Sequence, residues 1–265
     1  MSAESSDTSA FTILVVCSGN ICRSAIGQQL LRARFAELGA EHELQVLSAG
    51  TIAGRADTMP VEAEQVSRRY GGRPDGHLST PLSEKLIGRS QLVLTATRDH
   101  RAIVASLLPR ASRIAFTFNQ FARLAASVEP GELDAIENPI DRVAAIAAQR
   151  GFAPPERPED DDTDDPFMEP IEVYERVAAE IDAATRAIAT ALTRSAGRGA
   201  SAAPNSAGRG ASATPNSAGR EASAAPDSAG RGASAAPDSA GRGASASERL
   251  ETPGPPHPTR PEPLP

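Results

Sequence analysis

The apolar positions near the start of the chain form a compact pattern. Residues 11–17 (FTILVVC) are apolar or β-branched, with a composition typical of a strand buried on both faces. Residues 18–23 follow as a short loop, and a helical pattern then places apolar residues on one face: Ala25, Ile26, Leu30, Leu31 and Phe35. This order predicts the start of a βαβ unit.

The same alternation of strands and helices continues along the chain. Further strands are predicted at residues 44–49, 90–95 and 113–118. Helices are predicted at residues 60–70, before Pro109, and at residues 119–149 and 169–192. Strands that alternate with helices predict an α/β fold with a mainly parallel sheet covered on both faces.

Apolar periodicity stops near Leu192, and the rest of the chain is repetitive. An 11-residue unit, SAGRGASAAPN, begins at residue 195, and four near-copies follow it. Its largest apolar residue is alanine, so the repeat cannot bury enough surface to offset the entropy of ordering. We therefore expect a folded domain at residues 11–194, with disorder at residues 1–10 and 195–265.

Composition excludes several classes of protein. The formal net charge of −7 argues against nucleic-acid binding, and no apolar stretch is long enough to span a bilayer. The start of the chain lacks the pattern of a secretory signal, and two cysteines five positions apart form neither a disulfide framework nor a good zinc site. A reducing, cytoplasmic setting is expected. The acidic run at residues 159–165 is expected to be a solvated loop.

The segment from Cys17 to Arg23 carries the most specific chemistry in the sequence. Backbone N–H groups of a loop between a strand and a helix, together with the helix dipole, favour a bound phosphate and a cysteine thiolate. Arg23 can bind two phosphate oxygens, while Gly19 and Asn20 suit a tightly turning loop. A structural cysteine beside a surface arginine is the alternative, which the strand, loop and helix context disfavours.

The segment resembles the phosphate loop of the low-molecular-weight protein tyrosine phosphatases. The family pattern Cys-x-Gly-Asn-x-Cys-Arg-Ser is matched at every defined position by residues 17–24 (CSGNICRS). Over residues 12–192 the resemblance implies an open, flavodoxin-like sheet of four parallel strands, with the phosphate loop after the first strand. It implies Cys17 as nucleophile and Arg23 as phosphate clamp, with no metal and no organic cofactor. Phosphate-binding or supporting roles are expected for Ser18, Gly19, Asn20, Ile21, Cys22 and Ser24, the last as a donor to Cys17.

A second family signature is an Asp-Pro-aromatic segment shortly before the last helix, matched here by Asp165, Pro166 and Phe167. Hydrolysis of an aryl phosphate needs a carboxyl group that protonates the leaving phenolate and then activates water. Asp165 is therefore expected to be the general acid. One more solvated carboxylate in an acidic run is the alternative interpretation.

Two residues outside these segments match family positions that brace the loop. Ser48 lies near the end of the second predicted strand, and His77 precedes a further apolar stretch. The resemblance implies that Asn20, Ser48 and His77 form a buried hydrogen-bond network with no part in bond making.

The chain departs from the family pattern near the substrate. Ala25 stands where relatives carry proline, a change that a helix tolerates. No Trp or Tyr follows Gly50, where relatives place an aromatic wall. Ile52 and Phe167 are the expected substrate walls, and weak affinity for phosphotyrosine is expected.

Cys22 has two interpretations of comparable weight. It is either a small apolar loop residue or a resolving thiol that captures oxidised Cys17 in a reversible disulfide.

The expected activity is hydrolysis of protein phosphotyrosine through a phosphocysteine, with a bacterial tyrosine kinase among the candidate substrates. Phosphoarginine phosphatases are an alternative, although relatives with that specificity carry Thr in place of Ile21. Arsenate reductases share the fold, but no cysteine follows Cys22 to pass electrons. A phosphate-binding scaffold without catalysis is a further alternative, disfavoured by the presence of all three catalytic residues.

Overall fold

Strand β1 (Phe11–Cys17) lies inside a four-stranded sheet in the computed structural model, which describes residues 10–129 and 131–193. The other strands are β2 (Leu44–Gly50), β3 (Leu92–Thr95) and β4 (Ala115–Thr117). Their order is β2-β1-β3-β4, and every pair is parallel. The predicted fold class is confirmed. Strands β2 and β3 lie on opposite sides of β1, so the strand order reverses at β1. The loop after β1 therefore lies at the switch point where such sheets bind ligands.

Eight α-helices surround this sheet within the described residues. They are α1 (Arg23–Glu37), α2 (Val61–Arg69), α3 (Glu84–Gly88), α4 (Arg98–Leu107), α5 (Phe118–Ala126), α6 (Glu132–Ala135), α7 (Pro139–Ala148) and α8 (Ile171–Leu192). Side chains of β1 alternate between two hydrophobic clusters. Ile13 and Val15 pack in the cluster that contains residues of α5 and α8, whereas Leu14 and Val16 pack in the cluster that contains residues of α3 and α4. The strand is therefore buried on both faces, as predicted.

Helix α1 is buried more completely than its predicted single apolar face implies. It lies between the sheet and helices α2 and α8, so Gln28, Gln29 and Arg34 are also buried. Gly27 allows a close approach on this helix, because a Cβ atom there would lie 2.5 Å from Cζ of Phe118. Polar side chains in α1 thus occupy interior positions that the apolar pattern alone did not reveal.

Several predicted boundaries differ from the structure because of helix caps. The predicted strand at residues 113–118 is shortened to Ala115–Thr117, since the Thr117 hydroxyl accepts a hydrogen bond from the Gln120 N–H and starts α5. The long helix predicted at residues 119–149 is three helices, the last of which is capped by Asn138. Helix α3, capped by Ser83, was not predicted.

The disorder predicted for the two ends falls on residues 1–9 and 194–265, which lie outside the described residues. In the part of the chain that is described, no helix combines the length and apolarity needed to cross a bilayer.

Candidate active site

The loop at residues 18–22 joins the last residue of β1 to the first residue of α1. Its tightest point is Asn20, which is fully buried and has a φ of 57°, a left-handed conformation that asparagine tolerates better than most residues. The Asn20 side chain accepts a hydrogen bond from the Thr80 N–H at 2.9 Å and donates one to the Ser24 hydroxyl at 2.9 Å. These bonds fix the loop to both α1 and the segment around Thr80.

The sulfur of Cys17 lies 3.0 Å from the hydroxyl oxygen of Ser24. That oxygen also accepts a hydrogen bond from the Asn20 amide, so the Ser24 hydroxyl proton can be donated to the sulfur or to the Ala49 carbonyl, which lies 3.5 Å away. The predicted contact between the two side chains is present, and its catalytic role stays a prediction.

The end of β2 supports the loop by very close contact. A Cβ atom at Gly50 would lie 2.3 Å from the carbonyl oxygen of Ser18 and 2.9 Å from the backbone nitrogen of Asn20. Beyond Gly50, the Thr51 N–H donates to the Cys17 carbonyl at 2.9 Å and the Ile52 N–H donates to the Ser18 carbonyl at 3.1 Å. Position 50 therefore has room only for glycine unless the loop moves.

Replacement of Gly50 with alanine should displace the loop by a substantial fraction of an ångström and lower kcat/KM by about 10²-fold. Assays with p-nitrophenyl phosphate, with Tm measured in parallel, would test this. The matched control is Gly88→Ala, where the added methyl group would meet its nearest neighbour at 3.4 Å and activity should hold. Full activity in the Gly50 variant would show that the loop tolerates displacement.

Arg23 and Asp165 meet across the site although 142 residues separate them in sequence. The Arg23 side chain is only 5 % exposed and forms an ion pair with the Asp165 carboxylate. It also donates to the Thr163 carbonyl at 3.2 Å and to the Ser18 hydroxyl at 3.4 Å. The fold thus joins the loop of Cys17 to the segment that carries the predicted acid.

The expectation that the acidic run is a solvated loop is wrong for two of its aspartates, Asp161 and Asp162. Asp161 is buried and accepts two hydrogen bonds from Arg123, at 2.8 and 3.0 Å. Asp162 accepts from both the backbone and the guanidinium of Arg98, at 2.7 and 2.8 Å. Burial acts in the opposite direction, but these bonds lower the pKa of the Asp162 carboxyl. Arginines therefore anchor the segment at the two positions before Thr163.

The remaining contacts of this segment distinguish Asp165 from its neighbour. The Thr163 N–H donates to the Ala96 carbonyl at 2.8 Å, which ties the segment to the end of β3. Asp164 pairs with the exposed Arg176 at 2.9 Å, on the surface. Asp165 alone of these two aspartates contacts the phosphate loop.

His100, which sequence patterns did not single out, also contacts the loop. Its Nε2 lies 2.9 Å from the Ser18 hydroxyl, and its Nδ1 lies 2.6 Å from the Thr97 hydroxyl. Burial and then the charge of Arg23 lower the pKa of the His100 imidazole, which favours the neutral form of the ring. The only sequence signal was its place after β3, the strand next to β1.

The predicted network around Asn20 is present in part. Nε2 of His77 donates to the Asn20 carbonyl oxygen at 2.7 Å, and burial lowers the pKa of this imidazole. Ser48, however, donates to Oε1 of Gln28 at 2.8 Å instead of bracing Asn20 directly. Thr80 takes the bracing position through its backbone N–H. The prediction for Ser48 is therefore corrected, because its hydroxyl donates to the buried side chain of Gln28 in α1.

Two apolar side chains flank the loop at the predicted substrate walls. Ile52 is 80 % exposed and follows the residue that hydrogen-bonds Cys17. Phe167 is 50 % exposed, and its N–H donates to the Asp165 carboxylate at 3.3 Å. The exposed Met168 extends this apolar edge.

Cys22 lies at the start of α1 in a hydrophobic cluster, 3.7 Å from the hydroxyl of Tyr174. Burial raises the pKa of the Cys22 thiol to about 12, against an ordinary 9.0, which reduces the thiolate fraction by about 10³. The nucleophilicity of a thiolate rises with its pKa, which offsets part of that loss. Cys22 also lies only five residues from Cys17 around one tight loop, and an intramolecular reaction between well-oriented groups gains a large effective molarity.

We therefore expect Cys22 to capture the sulfenic acid that peroxide forms at Cys17, with release of water and formation of a disulfide. After treatment with peroxide and then a thiol reductant, the unmodified chain should regain most of its activity and Cys22→Ala should regain much less. Equal recovery would assign Cys22 to loop packing alone. Mass spectrometry of the disulfide before reduction provides an independent measurement.

Within the described residues, His, Cys, Asp and Glu side chains do not gather in threes around a point that would suit a metal ion. The arrangement instead offers a sulfur nucleophile, a guanidinium and a carboxylate around one anion-sized loop.

Known proteins resemble the chain in sequence and in fold. Residues 12–141 match the family model of the low molecular weight phosphotyrosine protein phosphatases. The low molecular weight protein-tyrosine-phosphatase Etp of Escherichia coli K12 is 32 % identical over 110 residues, which are 42 % of this chain and 70 % of Etp. The protein-arginine-phosphatase of Bacillus subtilis strain 168 is 33 % identical over 112 residues, 41 % of this chain and 71 % of that protein.

Among solved structures, a mutant of YwlE from Bacillus subtilis matches with a TM-score of 0.52 and 23 % identity, over 69 % of this chain and 99 % of YwlE. The tyrosine phosphatase AmsI of Erwinia amylovora matches with a TM-score of 0.51 and 23 % identity, over 70 % of this chain and 95 % of AmsI. These likenesses show the fold, and the family-model match over residues 12–141 includes the loop of Cys17. The chain belongs to the low molecular weight phosphotyrosine protein phosphatase family.

Proposed function

We propose that this phosphatase hydrolyses phosphotyrosine in proteins through a phosphocysteine intermediate. The observation that carries the proposal is the contact between Arg23 of the phosphate loop and the Asp165 carboxylate. This contact supports a role for Asp165 as the acid at the phosphoryl group that Cys17 would attack.

In the first step, the Cys17 sulfur forms a bond to phosphorus while the bond from phosphorus to the phenolic oxygen breaks. The Asp165 carboxyl donates its proton to the departing oxygen. The loop N–H groups and Arg23 stabilise the charge on the other three phosphate oxygens. A bound phosphate competes with Asp165 for the guanidinium of Arg23, which frees the carboxyl to move toward the leaving group.

In the second step, water attacks the phosphocysteine and the Asp165 carboxylate accepts the proton of that water. The bond from sulfur to phosphorus breaks, and the Ser24 hydroxyl, 3.0 Å from the sulfur, stabilises the thiolate that leaves. Inorganic phosphate is released and the enzyme returns to its starting state.

The walls of the site favour an aromatic leaving group over a guanidinium. Ile21 packs against the hydrophobic cluster that contains Cys22, and Ile52 and Phe167 present apolar surface beside the loop. A hydrated guanidinium would lose water against these walls without gaining a hydrogen bond. Sequence identity does not distinguish between the two substrates, since the relatives named as tyrosine phosphatase and as arginine phosphatase are 32 % and 33 % identical to this chain.

The test compares kcat/KM for one peptide that carries either phosphotyrosine or phosphoarginine. We expect phosphotyrosine to be preferred by about 10- to 100-fold, the range in which apolar contacts discriminate. Ile21→Thr should reduce that preference, whereas Ile52→Thr, the same change at an exposed position, should affect it less. Preference for phosphoarginine in the unmodified chain would overturn the assignment of substrate and leave the chemistry at Cys17 intact.

We further propose that the substrate is an intracellular phosphoprotein, with a bacterial tyrosine kinase as a candidate. Both cysteines are free thiols in the structure, which suits the reducing cytoplasm that we propose for the enzyme.

A further inference from the structure

A second cavity, of about 580 Å³, lies beside helices α4 and α5, apart from the loop of Cys17. Four arginines line it: Arg98, Arg101, Arg123 and Arg150. Among the described residues, neither an aspartate nor a glutamate lines this cavity. In a chain whose net charge is −7, this concentration of positive charge needs an explanation.

Two of the four arginines are neutralised by the segment that leads to Asp165. Arg98 pairs with Asp162 and Arg123 pairs with Asp161, each at 2.8 Å. Their charges are therefore largely committed to holding that segment.

The other two arginines have only neutral partners among the described residues. Arg101 donates to the side-chain oxygen of Gln120 at 2.5 Å. Arg150 donates to the carbonyls of Ser112 and Ala115, at 2.9 and 2.7 Å, and its buried Nε has no hydrogen-bond partner in the described part of the chain. Two positive charges thus line one cavity, and neither forms an ion pair with a carboxylate among the described residues, although the charge of Arg101 contributes to the lowered pKa of Asp162.

The surroundings of Arg150 disfavour the charged form of its guanidinium. Its guanidinium lies 3.8 Å from the centre of the Phe116 ring, so it is partly removed from water. Burial and then the charge of Arg101 lower the pKa of Arg150 to about 10. An anion in the cavity would relieve both effects, because it supplies the missing charge and accepts hydrogen bonds.

The remaining wall of the cavity is apolar. It is formed by Ala102, Ala105, Leu124, Ala153, Pro154 and Pro155. A volume in the range of small-molecule sites, with arginines on one side and apolar surface on the other, suits a ligand with a charged head and an apolar body. Arginine binds phosphate through two parallel hydrogen bonds, which makes phosphate the fitting head group.

We propose that this cavity binds a phosphorylated small molecule with at least two negative charges and an apolar body, held by Arg101 and Arg150. The site is separate from the catalytic loop and does not depend on the proposed substrate of that loop.

The test measures binding of ADP, with adenosine as the uncharged comparison, to the full chain carrying Arg23→Ala. This background weakens phosphate binding at the catalytic loop, so the remaining binding reports the second cavity. We expect calorimetry to show saturable binding of ADP and none of adenosine. An ADP concentration 100-fold above Kd should raise Tm by roughly 5–10 °C.

Adding Arg101→Gln to this background should raise the Kd for ADP by about 10- to 100-fold, the effect of losing a hydrogen bond to a charged group. Arg101 makes only a side-chain contact, so this variant should fold. Arg150→Gln should weaken binding as well, and the matched control Arg89→Glu, at an exposed arginine outside the cavity, should not. The proposal is overturned if ADP does not bind in the Arg23→Ala background, if adenosine binds equally, or if Arg101→Gln leaves the Kd unchanged.

Discussion

Replacement of Cys17 with serine is expected to lower kcat by about 10⁴–10⁶-fold, the range observed when a catalytic nucleophile is removed. The side chain is 2 % exposed and lies at the end of β1, where serine is close in size and should leave the fold unchanged. A hydroxyl is a far weaker nucleophile than a thiolate at pH 7, because almost none of it is ionised. Release of nitrophenol from p-nitrophenyl phosphate measures the loss.

The same substitution at the neighbouring cysteine is the control for this experiment. Cys22→Ser changes a buried sulfur five residues away, and it should retain activity within a few-fold if the protein remains folded. Acid quenching of the unmodified enzyme during turnover should trap phosphate on the peptide that contains Cys17. Substantial activity in Cys17→Ser would exclude the phosphocysteine pathway.

The fold and the loop could be predicted because their signals are local. The apolar run of β1, the seven residues from Cys17 to Arg23 and the following helix lie within one stretch of sequence, and each dictates its own conformation. The helix caps at Thr117 and Asn138 were also local signals, but they were weaker than the apolar pattern that surrounds them. The boundaries of several elements therefore differ from the predicted ones, whereas the predicted order of strands and helices is observed.

The contacts of the acidic run could not be predicted, because their partners lie far away in sequence. Asp161 binds an arginine 38 residues away, and Asp162 binds one 64 residues away. In the sequence, these aspartates look the same as their exposed neighbours. The position of α4 and α5 beside the segment decides which two carboxylates pair with Arg98 and Arg123, and that position follows from the order of the strands.

The burial of polar side chains in α1 could not be predicted either, because it depends on contacts with other elements. An amphipathic pattern identifies a face toward the sheet, but α8 covers much of the opposite face and is more than 130 residues away in sequence. Gln28 and Arg34 are therefore interior residues, and their partners include Ser48 and the carbonyl of Tyr70, which lie outside α1. The correction to the role of Ser48 arises from this packing.

Replacement of Asp165 with asparagine should lower kcat by about 10²–10⁴-fold for phenyl phosphate, the usual contribution of general acid catalysis. The loss should be much smaller for p-nitrophenyl phosphate, since nitrophenolate leaves without needing a proton. This variant keeps Cys17 and Arg23, although Arg23 loses its ion pair with the carboxylate, so the first bond to phosphorus could still form. A comparison of kcat for the two substrates therefore isolates the proton transfer from the binding of phosphate.

Asp164→Asn is the matched control, because it makes the same chemical change one residue away. Asp164 pairs with Arg176 at the surface, with side chains 69 % and 57 % exposed, and pairs of this kind contribute little to stability. Its replacement should leave both rates nearly unchanged. If Asp164→Asn instead shows the dependence on leaving group, or if Asp165→Asn slows both substrates equally, the proton must come from another residue. In the second case, the contact between Asp165 and Arg23 would serve to position the guanidinium.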